Sequence, residues 1–129
     1  MAVRIVLADD HKILREGLRA LLERETDLEV VGEANDGQEA VGLALALQPD
    51  IVVMDVAMPA MGGIEACRKI VAARPWAKVV ALSTHADRRF VNGMAQAGAC
   101  GYLLKDCASE EMVSAIRKVL AGGTCFSSQ

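Results

Sequence analysis

The sequence predicts an α/β fold built on a parallel sheet. Five apolar runs of strand length recur along the chain, amphipathic helical patterns separate them, and no low-complexity tract interrupts the alternation. Strands and helices that alternate in this way pack as a parallel sheet whose crossovers cover its faces.

The first strand is VRIVLA, Val3–Ala8, nearly continuous in aliphatic residues as a strand buried on both faces should be. Ile13, Leu14, Gly17, Leu18, Leu21 and Leu22 follow at helical spacing. The second strand, Leu28–Ala34, alternates Leu28, Val30, Gly32 and Ala34 with Glu29 and Glu33, which suits a sheet edge. Asp36 with Glu39 forms an acidic variant of the capping box at the start of the second helix, and Pro49 closes it. The third strand covers 51–54. Ile64, Cys67, Ile70 and Val71 then line a helix that stops before Pro75. The fourth strand covers 79–82, and Phe90, Val91, Met94 and Ala95 mark a helix weakened by Gly93 and ended at Gly98. The fifth strand, 102–104, is short enough for an edge, and Met112, Val113, Ile116, Val119 and Leu120 define the last helix. The ending GGTCFSSQ reads as a chain leaving its domain, which sets the expected domain at 1–123 and the start of a linker at 124–129.

Composition narrows the function. The 129 residues suit one domain, and 53% hydrophobic with only 3% aromatic content means an aliphatic core. A formal charge of −3 with no run of Lys or Arg leaves no electrostatic footprint for nucleic acid or an anionic membrane. No signal-peptide pattern opens the chain, and no apolar stretch approaches the ~20 residues of a membrane span. Cys67, Cys100, Cys107 and Cys125 form no CxxC pair, which suits reduced structural thiols in a cytoplasmic protein.

In an open parallel sheet, ligands bind outside the carboxyl ends of the strands. Those ends here carry Asp9 and Asp10 after the first strand, Asp55 after the third, Ser83 after the fourth and Lys105 after the fifth. Two carboxylates about 5 Å apart repel by roughly 3 kcal/mol at an effective dielectric of ~20, and one lysine leaves three of them net negative. A hard divalent cation resolves this with oxygen ligands, and Mg²⁺ fits because it binds one or two carboxylates while keeping waters and phosphoryl oxygens. The site therefore suits phosphoryl transfer, in which positioning and charge neutralisation do most of the catalysis.

With these residues in view, the chain resembles the receiver domain of a two-component response regulator. The likeness runs from about Arg4 to Gly123 and rests on ADDH, DVAMPAMGG around Asp55, ALSTH around Ser83 and GYLLKD around Lys105, in that order. LADDH, GYLLKD and IRKVLAGG further resemble the NarL/FixJ subfamily, whose receivers usually precede a LuxR-type helix-turn-helix. The resemblance implies a flavodoxin-like (βα)5 three-layer sandwich with a parallel five-stranded sheet in the order 2-1-3-4-5. It implies that Asp55 accepts phosphate from a histidine kinase, that Asp10 holds Mg²⁺ directly and Asp9 mainly through water, and that the backbone carbonyl of Ala57 is a further ligand. Lys105 and Ser83 would bind phosphoryl oxygens, small Thr84 would leave the phosphoryl pocket open, and Ser83 with Tyr102 would form the switch. A homodimer on phosphorylation is implied, with DNA reached only through a C-terminal output domain. Gly62 stands where the family often has Asp, which would loosen the loop after the site, and Asp106 replaces the proline common in other subfamilies.

Duller readings apply to some residues. His11 and His85 read as rim residues without ligand partners at usable spacing, and Met58 and Met61 as loop packing. An aspartyl-phosphate phosphatase would want a second acid at position 57, where Ala57 stands, so no turnover of an external substrate is expected. A flavodoxin-like electron carrier needs a hydroxyl-rich phosphate loop, whereas DDHKILREG is acidic. The nearest alternative is a stand-alone receiver that signals by protein contact.

Overall fold

The computed structural model describes residues 2–84 and 87–126. His85, expected at the rim, lies outside them, as do 127–129 of the expected linker. The elements run β1 (Val3–Ala8), α1 (Lys12–Glu23), β2 (Leu28–Ala34), α2 (Gly37–Leu47), β3 (Ile51–Asp55), α3 (Gly63–Ala73), β4 (Val79–Ser83), α4 (Arg88–Gln96), β5 (Gly101–Leu104), a 3-10 turn at Lys105–Cys107, α5 (Ala108–Leu120) and β6 (Cys125–Phe126).

All strand pairs are parallel, in the order β2-β1-β3-β4-β5-β6. The doubly wound sheet is the one expected, with one strand more. β6 continues past the expected boundary at 123 and pairs with β5, its Cys125 N–H donating to the Cys100 carbonyl at 2.9 Å. The shortness of β5 therefore does not make it an edge. Gly101 admits β6, because a Cβ there would lie 2.8 Å from the Cys125 carbonyl oxygen.

Alternation along each strand builds two cores. Ile5, Leu7, Ile51, Val53, Val80, Leu82 and Leu103 face α1 and α5. Val6, Ala8, Val52, Met54, Val79, Ala81 and Tyr102 face α2, α3 and α4. Both faces of the central strands are covered, which accounts for their unbroken apolar sequence.

Local chemistry sets the helix ends. Asp36 caps α2, its carboxylate accepting from the Glu39 N–H at 2.8 Å, while Glu39 reaches back one residue beyond a standard box, to the Asn35 N–H at 2.7 Å. Gln48 ends α2 at φ 50 just before Pro49, and Gly98, at φ 105, follows α4. Gly93 is more than a weak helix former, because a Cβ there would come 2.8 Å from Ile64 Cδ1 of α3.

One residue departs from its expected place. Ile13 shares the helical spacing of the α1 core residues yet is 86% exposed, while Arg15 is buried beside Leu18 and Leu22. The apolar set on α1 is wider than the stripe that the sheet can cover, so its outer member is left on the surface.

Candidate functional site

The register of the sheet assembles the site. Ala8 pairs with Met54, so one step further Asp9, just after β1, stands beside Asp55 at the end of β3. Ser83 pairs with Leu104, which places Lys105 immediately beyond the end of the same pair of strands. Asp9 and Asp55 are almost wholly buried, at 1% and 3% exposure, whereas Asp10 is exposed.

Lys105 joins the carboxylates. Its Nζ lies 2.8 Å from Asp55 Oδ2 and 3.1 Å from Asp9 Oδ2. The contact to Asp9 is an ion pair without good hydrogen-bond alignment, since Asp9 Oδ2 makes no hydrogen bond. Burial pushes the Asp55 carboxyl above its ordinary pKa and the charge of Asp9 adds to this, while Lys105 opposes it. For Lys105, burial works against the charge, but its contacts with Asp55 and Asp9 hold the pKa above the ordinary lysine value.

The loop after β3 completes the floor. The Ala57 N–H donates to Asp55 Oδ1 at 3.2 Å, and Met58 and Met61 pack on the core as loop residues. Gly63 lets α3 start directly against the site strand, since a Cβ there would lie 2.3 Å from the Asp55 carbonyl oxygen. Gly62 is the N-cap of α3 and offers no side-chain cap. Gly in place of a capping carboxylate costs only a few tenths of a kcal/mol. There is no cis peptide among the described residues, including Lys105–Asp106.

Ser83 and Tyr102 are each 1% exposed, on neighbouring strands, and their hydroxyls share a hydrogen bond. Burial raises the Tyr102 pKa, the Ser83 bond partly opposing it. Thr84 is exposed just beyond Ser83. Thus Asp9, Asp55 and Lys105 are in direct contact, Ser83 at the end of β4 and Tyr102 within β5 form a second pair, and Asp10 and Thr84 stand on the rim.

Two residues of the site go beyond the sequence reading. His11 is a rim residue, but not an idle one: its Nδ1 lies 2.9 Å from Asp9 Oδ1 and 3.4 Å from Asp10 Oδ1. Asp9, Asp10, His11 and Asp55 offer ligand atoms all within 4.8 Å of one another, a group able to hold a metal ion. Its place directly after Asp9 and Asp10 was the available signal. Arg15 is the second, holding the β1 end from below. It donates to the carbonyls of Asp9 at 2.6 Å and Ala34 at 3.2 Å, to Asn35 Oδ1 at 2.9 Å and to Glu33 Oε1 at 2.8 Å. Beside Lys105, an apolar groove of about 500 Å³ opens along α1, lined among others by Ile13, Leu14, Leu21 and Ser109.

Elsewhere the chemistry is quiet. All four cysteines are free, and burial pushes the Cys67 thiol up to about 12, which keeps it protonated. No helix among the described residues is long and apolar enough to cross a membrane.

Comparison with known proteins gives the family and the fold. Residues 5–117 match the family described as the response regulator receiver domain. The chain is 44% identical over 124 residues to the uncharacterized transcriptional regulatory protein YxjL of Bacillus subtilis, covering 96% of this chain and 57% of YxjL. It is 42% identical over 127 residues to the response regulator GacA of Pseudomonas aeruginosa, covering 98% of this chain and 59% of GacA. The chain thus spans less than two thirds of the length of these relatives. Among solved structures, a two-component response regulator of the LuxR family from Aurantimonas sp. SI85-9A1 superposes with a TM-score of 0.92 at 42% identity, covering 97% of this chain and 89% of that one.

Proposed function

This chain belongs to the response regulator receiver domain family, and from that premise we propose that it accepts a phosphoryl group on Asp55 from a histidine kinase, with Mg²⁺, and changes conformation in response. The observation that carries the reading is the shared ammonium: Lys105 Nζ lies within 3.1 Å of both buried carboxylates, Asp9 and Asp55. A single positive charge between two negative ones leaves the cluster, with Asp10, net anionic, and the oxygen-rich donor set suits Mg²⁺. When bound, the ion would neutralise the carboxylates and attract the phosphoryl oxygens.

Each residue then has a task. Asp55 Oδ attacks the phosphorus of the phosphohistidine, the P–N bond to the donor breaks, and the imidazole leaves carrying the electron pair. Asp9 and Asp10 would hold Mg²⁺, with the Ala57 carbonyl as a further ligand. Lys105 would follow the charge from the carboxylate to a phosphoryl oxygen. Ser83 would donate to another oxygen, exchanging its bond with Tyr102 for one to phosphate, while exposed Thr84 leaves the entrance open. Because Tyr102 is already buried against the core, its release from Ser83 is what would pass the event to β5 and α4. The donor must reach Asp55 past His11 and Lys105, next to the apolar groove on α1.

No external substrate is turned over in this scheme, because Ala57 cannot act as a general acid. DNA would be reached through an output domain in C-terminal continuation of residues 124–129, since a net charge of −3 gives this segment no means of releasing phosphate counterions. A cytoplasmic site of action goes with a kinase partner of this kind.

The test is phosphorylation by acetyl phosphate with Mg²⁺, read by intact mass and by acid-stable labelling. The wild type should gain one phosphoryl group and Asp55→Asn none, with an unchanged circular dichroism spectrum. Acid-stable labelling that persists in the Asn variant would overturn the assignment.

A further inference from the structure

β5, α5 and β6 form one strand–helix–strand unit with parallel strands, and a cysteine stands at the amino end of each strand. Cys100 comes directly before β5 and Cys125 is the first residue of β6. Asp55 and Lys105 lie at the carboxyl ends of their strands, so this pair sits at the opposite pole from the acidic site. The two residues are joined through the backbone, the Cys125 N–H donating to the Cys100 carbonyl at 2.9 Å. Neighbouring strands about 4.8 Å apart, with a rise of about 3.3 Å per residue, put a one-residue diagonal at about 5.8 Å between Cα atoms. A disulfide spans Cα separations of about 4.4–6.8 Å, so this diagonal can be bridged without moving a strand.

Side-chain direction decides the rest. Cys125 pairs with Gly101, so strict alternation would turn Cys100 to the opposite face of the sheet. The alternation breaks there. Gly98 turns the chain at φ 105, and Ala99 packs in the core on the α2, α3 and α4 side. Cys100 then packs, with Cys125, against the other core, that of Val80, Leu82 and Leu103. Gly101, between Cys100 and Tyr102, adds no side chain beside the two thiols. Both are only partly buried, which leaves them open to a small oxidant. The other cysteines are out of reach. Cys67 is wholly buried, its Sγ donating to the Ala97 carbonyl at 3.6 Å, and Cys107 lies past the other end of β5.

We propose that Cys100 and Cys125 are a redox pair, which a hydroperoxide converts into a disulfide that locks β6 onto β5 and a dithiol reductant releases. One thiolate attacks the peroxide: an S–O bond forms, the O–O bond breaks, and the leaving oxygen takes a proton to become water. The second thiolate attacks the sulfenic sulfur: the S–S bond forms, the S–O bond breaks, and a second water leaves. The two sulfurs give up two electrons and the peroxide takes them. All four cysteines are free in the structure, so the reduced form is the resting one and the link is transient. Once closed, it ties together both ends of the β5–α5–β6 unit, and β5, which carries Tyr102, is held at its amino end while the acidic site keeps its composition.

The experiment is treatment of the folded protein with hydrogen peroxide, followed by alkylation, intact mass and peptide mapping, for the wild type, Cys100→Ser, Cys125→Ser and Cys107→Ser. The expected product in the wild type and Cys107→Ser is a monomer lighter by two hydrogens, with Cys100 linked to Cys125. Neither of the other variants should form it, and in each the remaining thiol of the pair should stop at sulfenic acid, captured by dimedone. Oxidation should raise the Tm of the wild type and slow hydrogen exchange over residues 121–126 by about tenfold or more, and dithiothreitol should reverse both. Should a serine variant fail to fold, the wild-type peptide map and its reversal by dithiothreitol decide alone. Thiols that stay unreactive, that oxidise separately, or that link to Cys107 or across two molecules would overturn the pair. A Cys100–Cys125 link that leaves exchange over residues 121–126 unchanged would overturn the lock.

Discussion

Lys105 Nζ sits 2.8 Å from Asp55 Oδ2, joining the end of β3 to the residue that follows β5. The same ammonium is 3.1 Å from Asp9 Oδ2, and both carboxylates are buried. One lysine side chain therefore stabilises the end of the sheet while occupying space beside the position a metal ion would take.

Lys105→Met should expose that double role. Two buried carboxylates lose their counter-charge, which costs about 3–5 kcal/mol for a broken buried pair. Mg²⁺ can replace the lost charge, so thermal unfolding should show a large fall in Tm without the ion and a much smaller one with millimolar Mg²⁺. Mg²⁺ affinity should be unchanged or higher, because a competing cation is gone, while the conformational response to phosphorylation weakens. An equal fall in Tm with and without Mg²⁺ would contradict this account.

Asp55 gives a pH dependence of definite sign. Burial, with Asp9, raises its folded pKa above the ordinary carboxylate value. The folded protein therefore binds more protons than the unfolded chain between those two values, and stability falls as pH rises through that window. Asp55→Asn cannot titrate, so without metal the variant should gain stability relative to wild type from pH about 4 upward, levelling off above the folded pKa. Urea denaturation at a series of pH values measures the difference, and a constant offset across the series would count against the raised pKa.

Most of this arrangement was legible in the sequence, for a physical reason. A parallel strand buried on both faces needs a continuous apolar run, so β1, β3 and β4 announce themselves, and the first polar residue after each run falls at the carboxyl edge of the sheet. That is why Asp9, Asp55, Ser83 and Lys105 could be placed before any coordinates. What was hidden depended on contacts distant in sequence. Arg15 carries no motif of its own, and its role comes from Asp9, Ala34 and Asn35 being brought around its guanidinium. β6 is two residues of unremarkable composition whose pairing is permitted by Gly101 on another strand. Ile13 obeys the helical period and is nevertheless exposed, because periodicity does not report how wide a stripe the sheet covers.

Arg15→Met should be among the more damaging substitutions outside the acidic cluster. The guanidinium satisfies the carbonyls at the ends of β1 and β2 and pairs with Glu33, and methionine supplies none of these bonds. Loss of a buried charged group with its partners left behind costs about 3 kcal/mol or more. Hydrogen exchange should quicken around residues 33–36 ahead of the rest of β2. Uniform quickening across the sheet would instead indicate only a global loss of stability.

Gly63→Ala tests whether the approach of α3 sets the position of Asp55. The added methyl would lie 2.3 Å from the Asp55 carbonyl oxygen and 2.9 Å from Val56 Cα, so the backbone of the site strand must move. A cost of about 1–3 kcal/mol is expected from overpacking, accompanied by a loss of Mg²⁺ affinity. Gly42→Ala is the control, because a Cβ there meets nothing within 4 Å inside α2 and should stabilise by up to ~1 kcal/mol. If Gly63→Ala lowers Tm but leaves Mg²⁺ affinity at the wild-type value, the contact supports the fold without setting the site.

On the proposed reading, the signal would leave through a surface that the Ser83–Tyr102 pair can change. Moving a two-state equilibrium from mostly off to mostly on takes roughly 5.5 kcal/mol, within reach of a few charge-assisted hydrogen bonds at about 1.5–3 kcal/mol each from Ser83, Lys105 and backbone amides. α4 and α5 both pack on β5, from opposite faces of the sheet, so a shift of Ser83 and Tyr102 would bear on each of them through that strand. The exposed side of α5 carries Glu110 and Glu111 in its first turn and Arg117 and Lys118 in its last. Two copies packed antiparallel about a twofold axis would bring acidic turn against basic turn, although Arg117 already pairs with Asp27 and Glu25 within its own chain. Lys118 is therefore the cation to test. Beryllium fluoride with Mg²⁺ should promote a symmetric dimer through α5, alone or with its neighbours, in sedimentation at on the order of tens of micromolar protein. The dimer should weaken as salt screens the paired turns, and Lys118→Glu should shift it towards monomer without preventing phosphorylation of Asp55. An identical monomer fraction with and without beryllium fluoride would count decisively against dimerisation as the output, and a dimer indifferent to salt and to Lys118→Glu would place the contact elsewhere.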